Sequence, residues 1–229
     1  MFRLIGTKNE TSLHKELKFA YASKYGQTET EISGFVADGI NSQGEVIEVQ
    51  TGSFKPLTKK LPIIAKHSKI RVIYPIIISK YIEVYNVKGE KKYRRKSPKK
   101  GSAWDLFDAL VHAPDLPLIK GVTIELVVID ALEQRVDNGK GSWRRRGISI
   151  KDRSMLVLHK KIILKNPKDY LKFVPFKKKE AFTSASLAER SGIKAETARK
   201  TLYVLCKLGI IEKIAKERNA IVYQIAMSK

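Results

Sequence analysis

Acidic side chains meet in the stretch Ile32–Thr51. Ile32–Ile40 alternates as a strand, with Ile32, Gly34, Val36, Asp38 and Ile40 on one face. Asn41-Ser42-Gln43-Gly44 reads as a turn, and Glu45–Thr51 returns. Glu48 and Gln50 are two apart, so both leave the same sheet face, and Asp38 pairs near Glu48 across the turn. Two carboxylates so placed repel by roughly 0.2–1 kcal/mol. A divalent cation turns that repulsion into binding. Mg²⁺ asks for a few hard oxygens and keeps several waters, which Asp38, Glu48 and the strand carbonyl of Val49 can supply. The chemistry open to such a site is divalent-metal binding. The competing reading is a plain solvated strand face.

These residues need neighbours to hold them. Ser12–Tyr25 reads as a helix ended by Gly26, with Leu13, Leu17, Ala20 and Tyr21 on its apolar face and Glu16 on the border. After Gly52, Phe54–Lys66 is a helix that Pro62 kinks or ends, and Lys69–Pro75 is a buried strand. A hairpin at about Tyr81–Arg95, a helix at Ala103–Val111, a strand at Val122–Ile129 and a short helix at Pro167–Val174 follow. Val36, Ile47, Val49, Val72 and Ile73 are the expected core of one mixed sheet, with Leu13 and Leu17 packed on it.

A helix with an inward Glu, then a hairpin with Asp on one strand and Glu-x-Gln on the next, resembles the PD-(D/E)xK nuclease superfamily. The pieces are Glu16 in LHKELK, Asp38 in VADGI and Glu48-Val49-Gln50 in EVIEVQTG, and the resemblance covers residues 11–75. It implies a restriction-endonuclease-like α/β fold, a mixed sheet flanked by helices. It also implies Mg²⁺ or Mn²⁺ held by Asp38, Glu48 and Val49. Glu16 would orient a water or help a second ion, and Gln50 would position the attacking water. Two positions depart from the family pattern. Gln50 stands where Lys is usual, which removes a cation from the site, and Ala37 stands where Pro is usual. The stretches IEVQTGSF and RRKSPKKG also resemble prokaryotic proteins of no settled activity.

The charge balance names a partner. Lys and Arg number 45 against 23 Asp and Glu, a net charge of +22. Residues 1–50 run the other way, at −2, so residues 51–229 carry +24. Such a field asks for a polyanion, nucleic acid ahead of an anionic membrane surface, and duplex DNA is the expected partner. Two runs concentrate it. Lys88–Gly101 places Arg94, Arg95, Lys96, Lys99 and Lys100 for phosphate contact, and Lys140–Arg153 places Trp143, Arg144, Arg145 and Arg146. No apolar run approaches the ~20 residues of a membrane span. Met1–Thr11 carries no secretory pattern, and Cys206 has no partner cysteine. A reducing cytoplasm fits.

Phe182–Lys229 reads as a second unit. Thr183 caps a helix at Ser184–Ser191, Gly192-Ile193 turns, Ala195–Leu208 is a second helix, and Gly209 ends it. Ile210–Ala215 and Ala220–Ile225 alternate as a ribbon. This is the winged helix-turn-helix pattern. Its second helix would present Lys194, Thr197 and Lys200 to DNA, with Arg218 on the wing. The sequence therefore predicts a nuclease-like domain at 1–176 and a winged helix at 177–229. The expected activity is Mg²⁺-dependent DNA cleavage, with a homodimer favoured for cutting both strands. The rivals are an inactive nuclease-fold DNA-binding regulator and a binder of structured RNA.

Overall fold

The structure, a computed structural model, describes residues 10–22 and 27–226. Helix α1 (Ser12–Ala22) is followed by β1 (Gln27–Ile32), β2 (Phe35–Ile40), β3 (Val46–Val49), α2 (Leu57–Ile64) and β4 (Ile70–Tyr85). Then come β5 (Lys91–Lys96), α3 (Leu106–Leu110), β6 (Val122–Asp137) and β7 (Ile148–Leu164). The C-terminal unit holds α4 (Ser184–Ser191), α5 (Ala195–Lys207), β8 (Ile211–Glu217) and β9 (Ala220–Ile225). The main sheet runs β1-β2-β3-β4-β6-β7, with β5 also on β4. Pairing is antiparallel except for the two central ladders, β3 with β4 and β4 with β6. This is an α/β fold with a mixed sheet flanked by helices.

The alternation of the strands sends side chains to two cores. One face carries Val46, Ile70, Val72, Ile124 and Leu126 against α2 and α3. The other carries Ile47, Val49, Ile73, Val127 and Ile129 against Leu13 and Leu17 of α1. Val36 departs from the expected core: it is 57% exposed, because Ala37 and Gly39 are the inward residues of β2. The strand anticipated from Ile32 is two strands, since Ser33 and Gly34 both take positive φ (51° and 80°) in a tight hairpin turn. Helix α1 is described to Ala22, and the anticipated stop at Gly26 lies outside the described residues.

Strands β4, β6 and β7 are long, at 16, 16 and 17 residues. Proline survives inside β4 for a definable reason. β3 ends opposite Ile73 and β5 pairs with β4 only from Tyr81 onward, and Pro75 falls in the gap, where its missing N–H breaks no ladder bond. The segment 97–101 fills that gap, with Ser97 N–H donating to the Lys80 carbonyl and Gly101 N–H to the Ile77 carbonyl. A Cβ at Gly101 would lie 2.5 Å from the Ile77 oxygen, so the close approach requires glycine.

The C-terminal unit has the anticipated elements, and the main core continues into it. Phe176 and Phe182 stack at 4.1 Å. Helix α5 buries Ala198, Leu202 and Leu205, and also Thr201 and Val204, each 0% exposed. That buried arc is wider than the unit's own interior needs, and α5 shares one apolar cluster with Leu106, Phe107 and Leu110 of the α3 segment.

Candidate active site

β2 and β3 are in register only at Gly39–Ile47 and Ile40–Val46. Beyond Gly39 side chains replace the ladder. Asp38 Oδ2 accepts the Val49 N–H at 2.7 Å, and the Glu48 carboxylate accepts the Asp38 backbone N–H. Each carboxylate thus closes a main-chain donor on the opposing strand, and the two acids are neighbours, as their spacing anticipated.

Two basic side chains from the flanking helices reach them. Helix α2 turns Leu57, Leu61 and Ile64 into the core, which leaves Lys60 on its flank over the end of β3. Lys60 Nζ lies 2.5 Å from Glu48 Oε1 and 2.5 Å from the Val36 carbonyl, to which it donates. From the other face, His14 of α1 places Nε2 3.0 Å from the Val49 carbonyl and 3.6 Å from Asp38 Oδ2. His14 Nδ1 contacts Glu10. Both ring nitrogens thus face oxygen atoms. Lys18, one turn further on, pairs with Glu29 at 3.0 Å and Glu10 at 3.5 Å.

Burial dominates the electrostatics of Glu48. The residue is 2% exposed. Desolvation pushes its carboxyl up to about 7, Lys60 pulls against that, and the Asp38 charge adds to the rise. Burial lowers the ammonium of Lys18, but Glu29, Glu10 and Asp38 outweigh it and hold the pKa above its ordinary value.

A divalent cation suits the chemistry of this donor set, two hard carboxylates on adjoining strands. Glu48 Oε1 is buried without an aligned hydrogen bond, although Lys60 sits beside it. Among the described residues no group of three His, Cys, Asp or Glu converges closely enough to hold a metal by itself. The shell would therefore rest on Asp38, Glu48 and water.

Three anticipated roles change. Glu16 does not face the acids: its Oε2 accepts the Met155 N–H of β7 at 2.7 Å. Residues 14 and 16 lie about 200° apart around a helix, so His14, not Glu16, turns toward Asp38. The Val49 carbonyl meets His14. Lys200 is not free on α5, because Nζ is 2.8 Å from Asp108 of α3 and 2.7 Å from Glu196. Gln50 is half-buried at the end of β3, its N–H on the Ile73 carbonyl.

The anticipated phosphate contacts are mostly exposed. Arg94, Arg95 and Lys96 line β5, and Lys99 and Lys100 sit in the segment beside the gap in β4. Trp143, Arg144 and Arg146 project from the β6–β7 loop, while Arg145 Nε is tied to the Ile148 carbonyl at 3.1 Å. Lys194 precedes α5, Thr197 is half-buried, and Arg218 turns between β8 and β9. His14 and Lys60 escaped the sequence reading. Their only signal was the missing cation at Gln50, which invites a search among nearby helices.

Residues 11–165 match the family described as Domain of unknown function (DUF8091). The chain belongs to that family. The DUF8091 stretch contains Asp38, Glu48, His14, Lys60 and both basic hairpins, and it stops short of the C-terminal unit. An uncharacterized protein of Treponema pallidum (strain Nichols) is 31% identical over 152 residues, which is 66% of this chain. The chain spans 61% of that relative's length. Among the described residues no helix is long and apolar enough to cross a membrane.

Proposed function

We propose that this protein is a metal-dependent DNA endonuclease with a PD-(D/E)xK-like core and a winged-helix C-terminal unit. The reciprocal hold of Asp38 and Glu48 where β2 and β3 part company carries the reading. The order α1-β1-β2-β3-α2-β4 around that point supports it.

Asp38 and Glu48 would hold Mg²⁺ or Mn²⁺, which would polarise a phosphate oxygen and acidify water. Lys60 supplies the cation that Gln50 does not. Its ammonium, against Glu48, stands where an incoming phosphate would need positive charge. His14 fixes the Val49 carbonyl and Asp38 from the opposite face. The Gln50 amide offers a donor and an acceptor to a water at the end of β3. Lys99, Lys100 and β5 continue the positive charge away from the acids. Lys194, Thr197 and Arg218 would add duplex contacts from the C-terminal unit.

A second reading has its own support. Lys60 and His14 already meet both carboxylates, which suits an inactive nuclease fold that only binds DNA. A cleavage assay with Mg²⁺ or Mn²⁺ on supercoiled, linear and tailed DNA, and on structured RNA, separates the two. Metal-dependent cutting of DNA that Asp38→Ala abolishes supports the endonuclease. Metal-independent DNA binding with no cleavage supports the binding protein.

A further inference from the structure

The β6–β7 loop is tightly built, yet it holds its only apolar side chain out in water. Gly141 N–H donates to the Gly147 carbonyl at 2.7 Å, and Arg145 N–H to the Ser142 carbonyl at 2.9 Å. Arg145 Nε bonds the Ile148 carbonyl at 3.1 Å, and Ser149 Oγ bonds Asn138 Oδ1 at 2.8 Å. A Cβ at Gly141 would lie 2.0 Å from the Ile148 oxygen, so the turn needs glycine there. On this frame Trp143 is 85% exposed, between Lys140 and the exposed Arg144 and Arg146. Leaving an indole in water forgoes the burial that most tryptophans obtain. A rigid loop that does so presents the ring to something else.

The register fixes where this loop points. Tyr85 pairs with Val136 and Lys91, and Val136 with Ser149, so the β4–β5 and β6–β7 tips leave the same end of the sheet. Lys92 and Asp137 join the two hairpins at 2.7 Å. The level of Glu48 corresponds to Val72 of β4. The tips therefore stand about 40 Å further along the strands, too far to share in the chemistry at the carboxylates.

We infer that Trp143 stacks on an unpaired base of a nucleic-acid strand whose phosphates lie on Arg144, Arg146 and Lys140. This rests on the DNA reading above and narrows its substrate to DNA with a single-stranded segment, such as a tail, gap or fork. Inside a duplex both faces of each base are covered by neighbours, so a ring on a narrow tip finds a free face only where pairing is lost. Guanidiniums beside the ring supply the phosphate contacts that such stacking platforms combine with aromatics. An anionic membrane fits less well, since residues 138–147 offer one apolar side chain and bilayer insertion would bury little else.

The test is fluorescence and affinity with a dT oligonucleotide of about 20 residues, in EDTA so that nothing is cut. The chain has two tryptophans, and Trp104 is half-buried against Phe173, so added quenching reports Trp143. The oligonucleotide should quench the parent protein and fail to quench Trp143→Phe, which binds within about three-fold of the parent. Trp143→Ala should bind about 5- to 100-fold more weakly at an unchanged melting temperature. Binding and quenching are read in EDTA on the uncut oligonucleotide, so a failed cleavage assay leaves this result standing. Equal quenching by a blunt duplex, unchanged affinity of Trp143→Ala, tighter binding of an rU oligonucleotide, or a blue shift with phosphatidylglycerol vesicles in place of DNA quenching would each overturn the inference.

Discussion

Asp38 and Glu48 hold each other's strands: the Asp38 carboxylate takes the Val49 N–H, and the Glu48 carboxylate takes the Asp38 N–H. Both acids are therefore structural, beyond the metal-holding role proposed for them. Each spends an oxygen on the backbone, which fixes the direction of the other. Carboxylates held in this way need little rearrangement to accept a cation.

The first prediction follows from that geometry. Mn²⁺ at about 100 times its Kd should raise the melting temperature by about 5–10 °C. Asp38→Ala should abolish the shift and any cleavage. Differential scanning fluorimetry with and without Mn²⁺ measures it, and an unchanged shift in Asp38→Ala would place the metal elsewhere.

The second prediction concerns pH. The folded pKa of Glu48, about 7, lies above its ordinary 4.5, so between those values the folded protein keeps a proton that the unfolded chain has lost. The contribution of Glu48 to stability therefore falls as pH rises through about 7. Metal competes with that same proton. The Mn²⁺-induced shift should grow between about pH 6 and pH 8, and Glu48→Gln should flatten the dependence. A shift that shrinks over this range would count against Glu48 as a ligand.

The third prediction separates Lys60 from Gln50. If Lys60 stands in for the absent lysine, Lys60→Ala should lose about 10²–10³ in cleavage rate, the scale of removing one positioned charge stabiliser. Its metal affinity should rise, because Glu48 is released from the ammonium. Adding Gln50→Lys to Lys60→Ala should restore part of the rate. Failure of the double variant, with both proteins folded, would make Lys60 a structural partner only.

The fourth prediction concerns Glu133, a buried carboxylate met by Lys80, Arg135 and Arg153 at 2.9, 2.5 and 2.7 Å. Burial alone would raise its pKa, but Lys80, Arg153 and Arg135 outweigh it and bring it down to about 2. A depressed carboxylate stabilises the fold above its unfolded value and loses that contribution as pH falls from about 4.5 toward 2. Glu133→Gln should cost ~3–5 kcal/mol at neutral pH, since it leaves three cations together without their counter-ion. Urea denaturation at neutral and acid pH should show the gap between the two proteins closing in acid.

What the sequence disclosed followed the range of the signal. The C-terminal elements rest on local chemistry: Thr183 caps α4, and Gly192 and Gly209 take positive φ at the helix ends. Asp38 and Glu48 were legible because strand periodicity and one turn place them. β1, reading QTETEI, hid as a polar edge strand, and β7 hid because its basic residues resemble a loop. His14 and Lys60 reach the acids from helices on opposite faces of the sheet, and no spacing along the chain encodes that meeting. Glu16 was misassigned by helix phase. The phase that turns His14 toward Asp38 turns Glu16 toward Met155.

The fifth prediction concerns the docking of α5. Lys200 pairs with Asp108 at 2.8 Å, and both side chains are substantially solvated. Such a pair is worth about 0–1 kcal/mol, so it does not hold the C-terminal unit in place. That task falls to apolar burial around Leu106, Phe107 and Val204. Asp108→Ala should accordingly leave the melting temperature nearly unchanged. It should also leave Lys200 held by Glu196 alone and remove a negative charge beside the helix proposed to face DNA. Duplex affinity should rise at low salt, and the slope of log affinity against log salt should steepen by about one. Lys200→Ala should do neither, and combined with Asp108→Ala it should cancel the steeper slope. A slope unmoved by Asp108→Ala, measured by anisotropy across a salt series, would mean that α5 does not approach phosphate at all. The C-terminal unit would then be a structural extension of the main core, and the positive charge of β5 and the two hairpin tips would have to account for DNA binding alone.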